Sequence, residues 1–146
     1  MNAPGQIDAG KLVVALDAHG GDFGPAVTVP AALEVLADQP GLEILLCGIP
    51  GQVQPVLDKH IAAGKFSCCI ERLQLKEASH ALAPDARPVA ALRRGKGSSL
   101  WLALEQVAEG QASACVSAGS TAAMLALGVK LLGMLPGIER PALMLS

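Results

Sequence analysis

The feature that most constrains this chain is the alternation of short apolar runs with longer helical patterns. The apolar runs cover residues 12–16, 42–47, 68–73 and 112–116. Runs of this length with few polar interruptions are typical of strands that are buried on both faces. Strands of this kind that alternate with helices predict a mostly parallel sheet between two helical layers. We therefore expect an α/β fold, a three-layer αβα sandwich.

Helical patterns fill the intervals between these runs, and glycine or proline residues mark their ends. Helices are predicted over residues 25–39, 52–63, 89–94 and 120–132, and from a cap at Ser98 or Ser99 to Gly110. Residues 76–88 are polar and predict a surface loop, and loops of that length often carry function. A further strand is expected to begin at Pro141.

The length of 146 residues fits one domain, and the apolar content of 51% supplies a core of Ala, Leu and Val. Residues 1–10 are polar and lack the basic and apolar regions of a secretory signal, so we expect a flexible tail before a domain at 11–146. Residues 110–129 carry no charge, but Gly119 and its hydroxyl neighbours interrupt them. That stretch therefore predicts a strand, a turn and a helix rather than a membrane span.

Charge and cysteine content exclude several classes of protein. The net charge of −2 gives no electrostatic reason to expect a nucleic acid partner. Three of the four cysteines lie in apolar runs, and no Cys-x-x-Cys pair occurs. Reduced, buried thiols in a cytoplasmic protein are the expected state. We expect neither a metal site nor a cofactor.

A glycine-rich segment at residues 17–25 follows the first strand, and ligands of parallel sheets bind beyond the carboxyl ends of the strands. Gly20 and Gly21 allow backbone amides to approach a ligand closely. The helix that starts at Pro25 adds unpaired N–H groups and a positive dipole end. The segment predicts either a phosphate or carboxylate cradle, or a tight turn without a ligand.

The same segment carries carboxylates and a histidine. Asp17 and Asp22 repel a phosphate unless they hold a basic residue or accept a phosphate proton, so they either organise the loop or act on the substrate. His19 is either an incidental loop residue or a group that titrates near neutral pH.

A second candidate segment is the basic cluster that leads into a helix start. Arg93 and Lys96 can neutralise a phosphate, and arginine can do so with two parallel hydrogen bonds. Ser98 and the neighbouring glycines favour backbone approach to an anion. The alternative is a solvated charged patch.

A third candidate segment connects a strand to a helix, where hydroxyl groups and free amides converge. It contains Ser117, Gly119, Ser120 and Thr121. Ser120 is alternatively an N-cap only, which is worth about 1 kcal/mol to a helix. The segment lacks the G-x-S-x-G elbow, so we expect no covalent acyl-serine.

These segments occur in the order of four motifs. Asp-Ala-His-Gly-Gly-Asp-Phe-Gly-Pro at residues 17–25 resembles the opening signature of the bacterial phosphate acyltransferases of phospholipid synthesis. Residues 88–99, 116–121 and 135–142 resemble the second, third and fourth motifs of that family. The resemblance covers residues 12–143 and corresponds to the N-terminal part of such an enzyme.

The resemblance implies the Rossmann-like fold of isocitrate and isopropylmalate dehydrogenases, incomplete at the C-terminus because family members are more than twice as long. It implies formation of acyl phosphate from acyl-(acyl carrier protein) and inorganic phosphate, which feeds glycerol-3-phosphate acylation. The implied partners are these two substrates and a second subunit in a homodimer. Peripheral association with a membrane glycerol-3-phosphate acyltransferase is also implied.

Residue roles follow from the resemblance and from the chemistry of the loops. Arg93 and Lys96 are expected to bind phosphate or the acidic surface of the carrier, and Asp17 and Asp22 to fix the glycine loop; these four are the candidate catalytic residues. The candidate substrate-binding residues are Gly20, Gly21, Ser98, Ser117, Gly119, Ser120 and Thr121.

The chain departs from the family pattern at three positions. His19 stands where the family usually has methionine. Ser120 and Ala122 stand where asparagine and glycine are usual, so position 120 offers one donor instead of the two of an amide.

Two other functions fit parts of the sequence. One is a related enzyme of layered architecture, either a coenzyme A-dependent phosphate acetyltransferase or a dehydrogenase of the isocitrate type with a nicotinamide cofactor. The other is a non-catalytic module that binds acyl carrier protein or a partner enzyme. Activity with coenzyme A thioesters, or complex formation without turnover, distinguishes these from the acyl phosphate reaction.

Overall fold

The structure is a computed structural model that describes residues 11–144. Its elements in chain order are β1 (Leu12–Asp17), α1 (Pro25–Asp38), β2 (Leu42–Gly48), α2 (Pro50–Ala62), a 3-10 turn (Ile70–Arg72), β3 (Leu73–Glu77), α3 (Pro88–Arg94), α4 (Ser99–Ala108), β4 (Ala114–Val116) and α5 (Thr121–Leu132). The flexible tail that we expect at residues 1–10 lies outside the described residues.

The strands form one parallel sheet of four strands in the order β3-β2-β1-β4. The chain proceeds from β1 to β2 and β3 on one side, and then returns to place β4 on the other side of β1. Strand order therefore reverses between β1 and β4, and in open α/β sheets the crevice at such a point is where ligands bind.

Helices cover both faces of the sheet. Alternate residues of β2 point to opposite faces, so Ile44 and Leu46 pack against α1 and α2, while Leu45 and Cys47 pack beside Ala103 of α4. Helix α5 packs on α4, and α3 packs on α5, in a further cluster. The structure is thus an αβα sandwich, and the predicted fold class is confirmed.

The third strand is not where the apolar pattern predicts it. Strand β3 begins at Leu73, and residues 68–72 form turns instead of a strand. Cys69 is fully buried in the α1–α2 cluster. Arg72 donates hydrogen bonds to the carbonyl oxygens of Leu36 and Gln39 at the end of α1 and of Leu42 at the start of β2. The apolar side chains of this run therefore serve helix packing, and strand pairing starts only after Arg72.

Further boundaries differ from the prediction. Helix α2 begins at Pro50 and β4 at Ala114, where the sequence predicts residues 52 and 112. Lys76 and Glu77 belong to β3, so the surface loop starts at Ala78 rather than at residue 76. Residues 141–144 form no strand, and Pro141 lines the groove between α3 and α5. The helix caps are as predicted: Ser98 begins α4, and α4 ends before Gly110.

No helix within residues 11–144 combines the length and the apolar character that a membrane span requires.

Candidate functional site

Asp17 is the centre of a hydrogen-bond network at the carboxyl end of β1. The pairing of Leu16 with Val116 brings the residues after β1 and β4 side by side. Ser117 Oγ donates to Asp17 Oδ2 at 2.8 Å, and the backbone N–H of His19 donates to Oδ1 at 3.1 Å. Asp17 is only 4% exposed. Both of its carboxylate oxygens are engaged, so its geometry favours an organising role over proton transfer.

The glycine loop and the β4–α5 loop are in direct contact. The N–H of Gly119 donates to Ser117 Oγ at 3.1 Å, which continues the network from Asp17. A Cβ on Gly20 would lie 2.7 Å from the backbone nitrogen of Ala118, so only glycine fits there without movement. The structure therefore brings Asp17, Gly20, Ser117 and Gly119 together, as the parallel sheet predicts.

Backbone donors at this junction are available to a ligand. Within residues 11–144, the N–H groups of Gly21, Asp22 and Phe23 make no hydrogen bond, and the same is true of Thr121 and Ala122 at the start of α5. Unpaired amides at a helix start, together with the helix dipole, attract anions. The junction therefore has the donors that a phosphate needs.

Ser120 has two structural contacts. Its hydroxyl accepts from the N–H of Ala123 at 3.2 Å, which caps α5, and donates to the carbonyl oxygen of Ala86 at 2.9 Å. The second bond ties the start of α5 to the segment just before α3. Ser120 therefore connects the sheet-edge junction to the helix that carries the basic cluster.

Arg93 and Lys96 are exposed at the end of α3 and just after it. Among the described residues, neither side chain has a hydrogen bond or an ion pair, and no contact joins either of them to Asp17. Within the described residues these two cations are thus unpaired and lie outside the junction. Asp22 is likewise exposed, and its carboxylate has no partner in the described part of the chain.

Ser98 does not face solvent. Its side chain is fully buried and accepts from the N–H of Trp101 at 3.2 Å. Because the hydroxyl is enclosed in the cap of α4, we leave Ser98 out of the proposed substrate site.

The turn that carries Lys96 is held by two residues that the sequence analysis does not identify. The N–H of Ser79 donates to the carbonyl oxygen of Gly97 at 3.0 Å, and His80 Nε2 lies 2.8 Å from the carbonyl oxygen of Arg94. The loop at residues 76–88 indicates function by its length, but no local pattern links it to the basic turn.

All three loops lie in a part of the chain that matches a known protein family. The model of the family described as fatty acid synthesis protein matches residues 12–146. The chain belongs to this family. The match begins at the first residue of β1 and includes all three loops described above. Membership supports a role in lipid biosynthesis and an enzymatic activity in general.

The thiols near the junction of this fatty acid synthesis family member are not nucleophiles at neutral pH. Burial raises the pKa of Cys47 and of Cys115 to about 12 each, and the negative charge of Asp17 adds to the effect. A nucleophilic cysteine needs a lowered pKa. The arrangement therefore favours chemistry without a covalent thiol intermediate.

His19 is held in place by its ring. The N–H of Ile49 donates to His19 Nε2 at 2.9 Å. Burial lowers the pKa of His19, and the nearby carboxylate of Asp17 opposes this effect only in part. His19 is therefore not an incidental loop residue. No local pattern in the sequence pairs position 19 with position 49.

Two remaining features complete the surroundings of the site. An open apolar groove of about 420 Å³ lies between α3 and α5, lined mainly by Leu92, Leu125, Ala126 and Val129. Within residues 11–144, no group of three or more His, Cys, Asp or Glu side chains is arranged to hold a metal ion.

Proposed function

We propose that this chain supplies the phosphate-binding part of an acyltransferase that forms acyl phosphate from acyl-(acyl carrier protein) and inorganic phosphate. The observation that carries the proposal is the junction of the glycine loop with the β4–α5 loop at the point where strand order reverses. Backbone N–H groups of both loops make no hydrogen bond within residues 11–144, and ligands of open α/β sheets bind at such a point. The membership of the chain in a fatty acid synthesis family supports an acyl substrate.

The proposed reaction needs no nucleophile from the protein. A phosphate oxygen attacks the thioester carbonyl, a tetrahedral oxyanion forms, and the carrier's phosphopantetheine thiolate leaves as the C–S bond breaks. The protein must hold the phosphate dianion close to the carbonyl and stabilise the oxyanion. The amides of Gly21 and Thr121 supply donors for one of these tasks, and Gly119 fixes the loop between them.

Arg93 and Lys96 are assigned to anion attraction. Because neither side chain is paired within the described residues, both can turn toward phosphate or toward the acidic surface of the carrier protein. Asp17 holds the two loops together through Ser117, whereas the exposed carboxylate of Asp22 has no partner among the described residues and is not assigned to fixing the loop. The proposal includes a homodimer, a cytoplasmic location and peripheral contact with a membrane glycerol-3-phosphate acyltransferase, all from the resemblance.

The test is trapping of acyl phosphate with hydroxylamine. Acyl-(acyl carrier protein) and phosphate are supplied to this chain and to a version extended to the length of full family members. Hydroxamate from either version supports the proposal. No product from either, together with a stable complex with acyl carrier protein, favours the binding-module alternative. Turnover of coenzyme A thioesters, or reduction of a nicotinamide cofactor, favours the related enzymes.

Arg93→Ala tests the role of the basic cluster. In the active version we expect the KM for phosphate to rise by about tenfold, because one charge-assisted interaction with the dianion is lost. Lys59→Ala, which removes an exposed charge at the end of α2, is the control and should leave the KM for phosphate unchanged. Equal phosphate kinetics for the two variants would remove Arg93 from the site.

A further inference from the structure

The ring of His19 connects the glycine loop to the start of α2. Its Nε2 accepts a hydrogen bond of 2.9 Å from the N–H of Ile49, the residue that caps α2 after the end of β2. A ring nitrogen that accepts from an N–H carries no proton. The bond therefore requires the neutral imidazole with its proton on Nδ1.

The ring fits closely against the end of β2. A Cβ on Gly48 would lie 3.3 Å from His19 Nε2, 2.9 Å from the Cβ of Ala18 and 2.6 Å from a methyl carbon of Val53. Glycine at this position leaves the space that the imidazole and its neighbours occupy. The partly buried His19 thus packs between its own loop and the first turn of α2.

Few charges act on the ring. Asp17 on β1 favours the imidazolium, and Asp22 on the same loop is exposed. On β2, the thiol of Cys47 is neutral because burial raises its pKa to about 12, and Lys76 of β3 pairs with Cys47 in register. The first turn of α2, residues 50–53, contains no ionisable side chain. Burial dominates this balance and lowers the pKa of His19.

Movement of the ring is transmitted to the phosphate-binding loop. The N–H of His19 donates to Asp17, and the next residue, Gly20, is in close contact with the backbone of Ala118. Protonation of Nε2 would set two N–H groups against each other at the bond to Ile49. When the loop moves away from α2 to relieve this repulsion, it disturbs the contact at Gly20.

We propose that His19 is a positioning residue for the phosphate site, which holds the glycine loop against Ile49 while its imidazole is neutral and releases the loop when it is protonated. The inference rests on the proposed function, because it assumes that phosphate binds at this loop. It predicts that phosphate affinity falls in mildly acidic solution because His19 is protonated, in addition to any effect of the titration of phosphate itself.

The decisive comparison is between the native chain, His19→Gln and His19→Ala, with inorganic phosphate as the probe. Phosphate affinity is measured by titration calorimetry from pH 8 to pH 5. The amide oxygen of glutamine can accept from Ile49 and does not titrate, whereas alanine provides no acceptor. The ratio of native to His19→Gln affinity at each pH cancels the titration of phosphate itself.

At pH 8 we expect His19→Ala to lose roughly threefold to tenfold in affinity, the effect of one hydrogen bond, and His19→Gln to remain close to the native value. As the pH falls, the native-to-Gln ratio should drop by a similar factor. A ratio that stays constant down to pH 5 overturns the proposal. If His19→Gln does not fold, His19→Met serves as the non-titrating reference for the same ratio.

Nitrogen-15 NMR of the ring distinguishes this failure from failure of the proposed function. The expected signature is a neutral ring protonated at Nδ1, with the amide signal of Ile49 shifting as the ring titrates. A proton on Nε2 in the neutral ring overturns the positioning role even if phosphate binds. Absence of phosphate binding at every pH, with the expected ring signature, overturns the phosphate-site function and the inference that rests on it.

Discussion

Replacement of Gly20 with alanine tests whether close contact between the two loops builds the site. The added Cβ would lie 2.7 Å from the nitrogen of Ala118 and 3.1 Å from that of Gly119. These distances fall about 0.4–0.8 Å short of the ~3.5 Å at which nonbonded heavy atoms meet without repulsion. Both neighbours are backbone atoms, so a loop must move. Overpacking of this kind costs about 1–3 kcal/mol.

That cost corresponds to a decrease in Tm of about 2–10 °C for a domain of roughly this size. Thermal unfolding followed by circular dichroism measures it, and calorimetric titration measures phosphate affinity, which should fall with it. Gly51→Ala is the matched control, because nothing lies within 4 Å of its added Cβ in the first turn of α2. The control is expected to be neutral or slightly stabilising. If Gly20→Ala matches it in both Tm and phosphate affinity, the close contact is not a constraint.

Three further predictions concern Ser117, the four thiols and His19. Ser117→Ala should destabilise the chain by about 1.5–3 kcal/mol, because a buried carboxylate oxygen of Asp17 loses its donor. Urea unfolding measures this loss, with the exposed Ser67→Ala as the control. Equal urea midpoints for the two variants contradict the prediction. Cys68 is exposed and should react rapidly with a thiol reagent at pH 8, whereas the three less exposed cysteines should react only when the chain unfolds. Two or more rapidly reacting thiols in the native chain refute this prediction. The free energy of unfolding should fall as the pH drops from 6.5 toward the lowered pKa of folded His19, because the unfolded imidazole takes up a proton first. Between pH 7.5 and pH 5, the free energy of unfolding in urea should decrease less for His19→Gln than for the native chain. Equal decreases for the two chains refute this prediction.

The order of the elements could be predicted from the sequence because strand burial has a simple local signature. Strands at the centre of the sheet, such as β1 and β2, are apolar on both faces and read as nearly continuous runs. The strand predicted at residues 68–73 is wrong for residues 68–72, because Cys69 is buried against helices instead of within the sheet. Apolar periodicity reports burial, and it does not say which layer a short run joins.

The candidate site could be predicted in part for a similar reason. Ligands of parallel sheets bind beyond the carboxyl ends of the strands, so the sequence indicates the glycine loop and the segment after β4 as candidates. The contacts that fix them depend on distances between residues far apart in the chain, such as His19 with Ile49 and Ser120 with Ala86. The chemical nature of a side chain does not indicate which distant residue it will contact in the folded chain. For Arg93 the reverse holds: the sequence indicates a function from its charge, but no contact in the structure places it in the junction.

The position of Asp17 bears on whether the proposed reaction needs a general base. A buried carboxylate at a strand end is a candidate for that role. Here, however, Ser117 and the N–H of His19 occupy its two oxygens. Each oxygen keeps a second lone pair, but the side chain is only 4% exposed, so little of it is open to a substrate. A phosphate dianion already carries the electron pair that attacks the carbonyl, so a site of fixed N–H donors held by Asp17 can serve this reaction without a base.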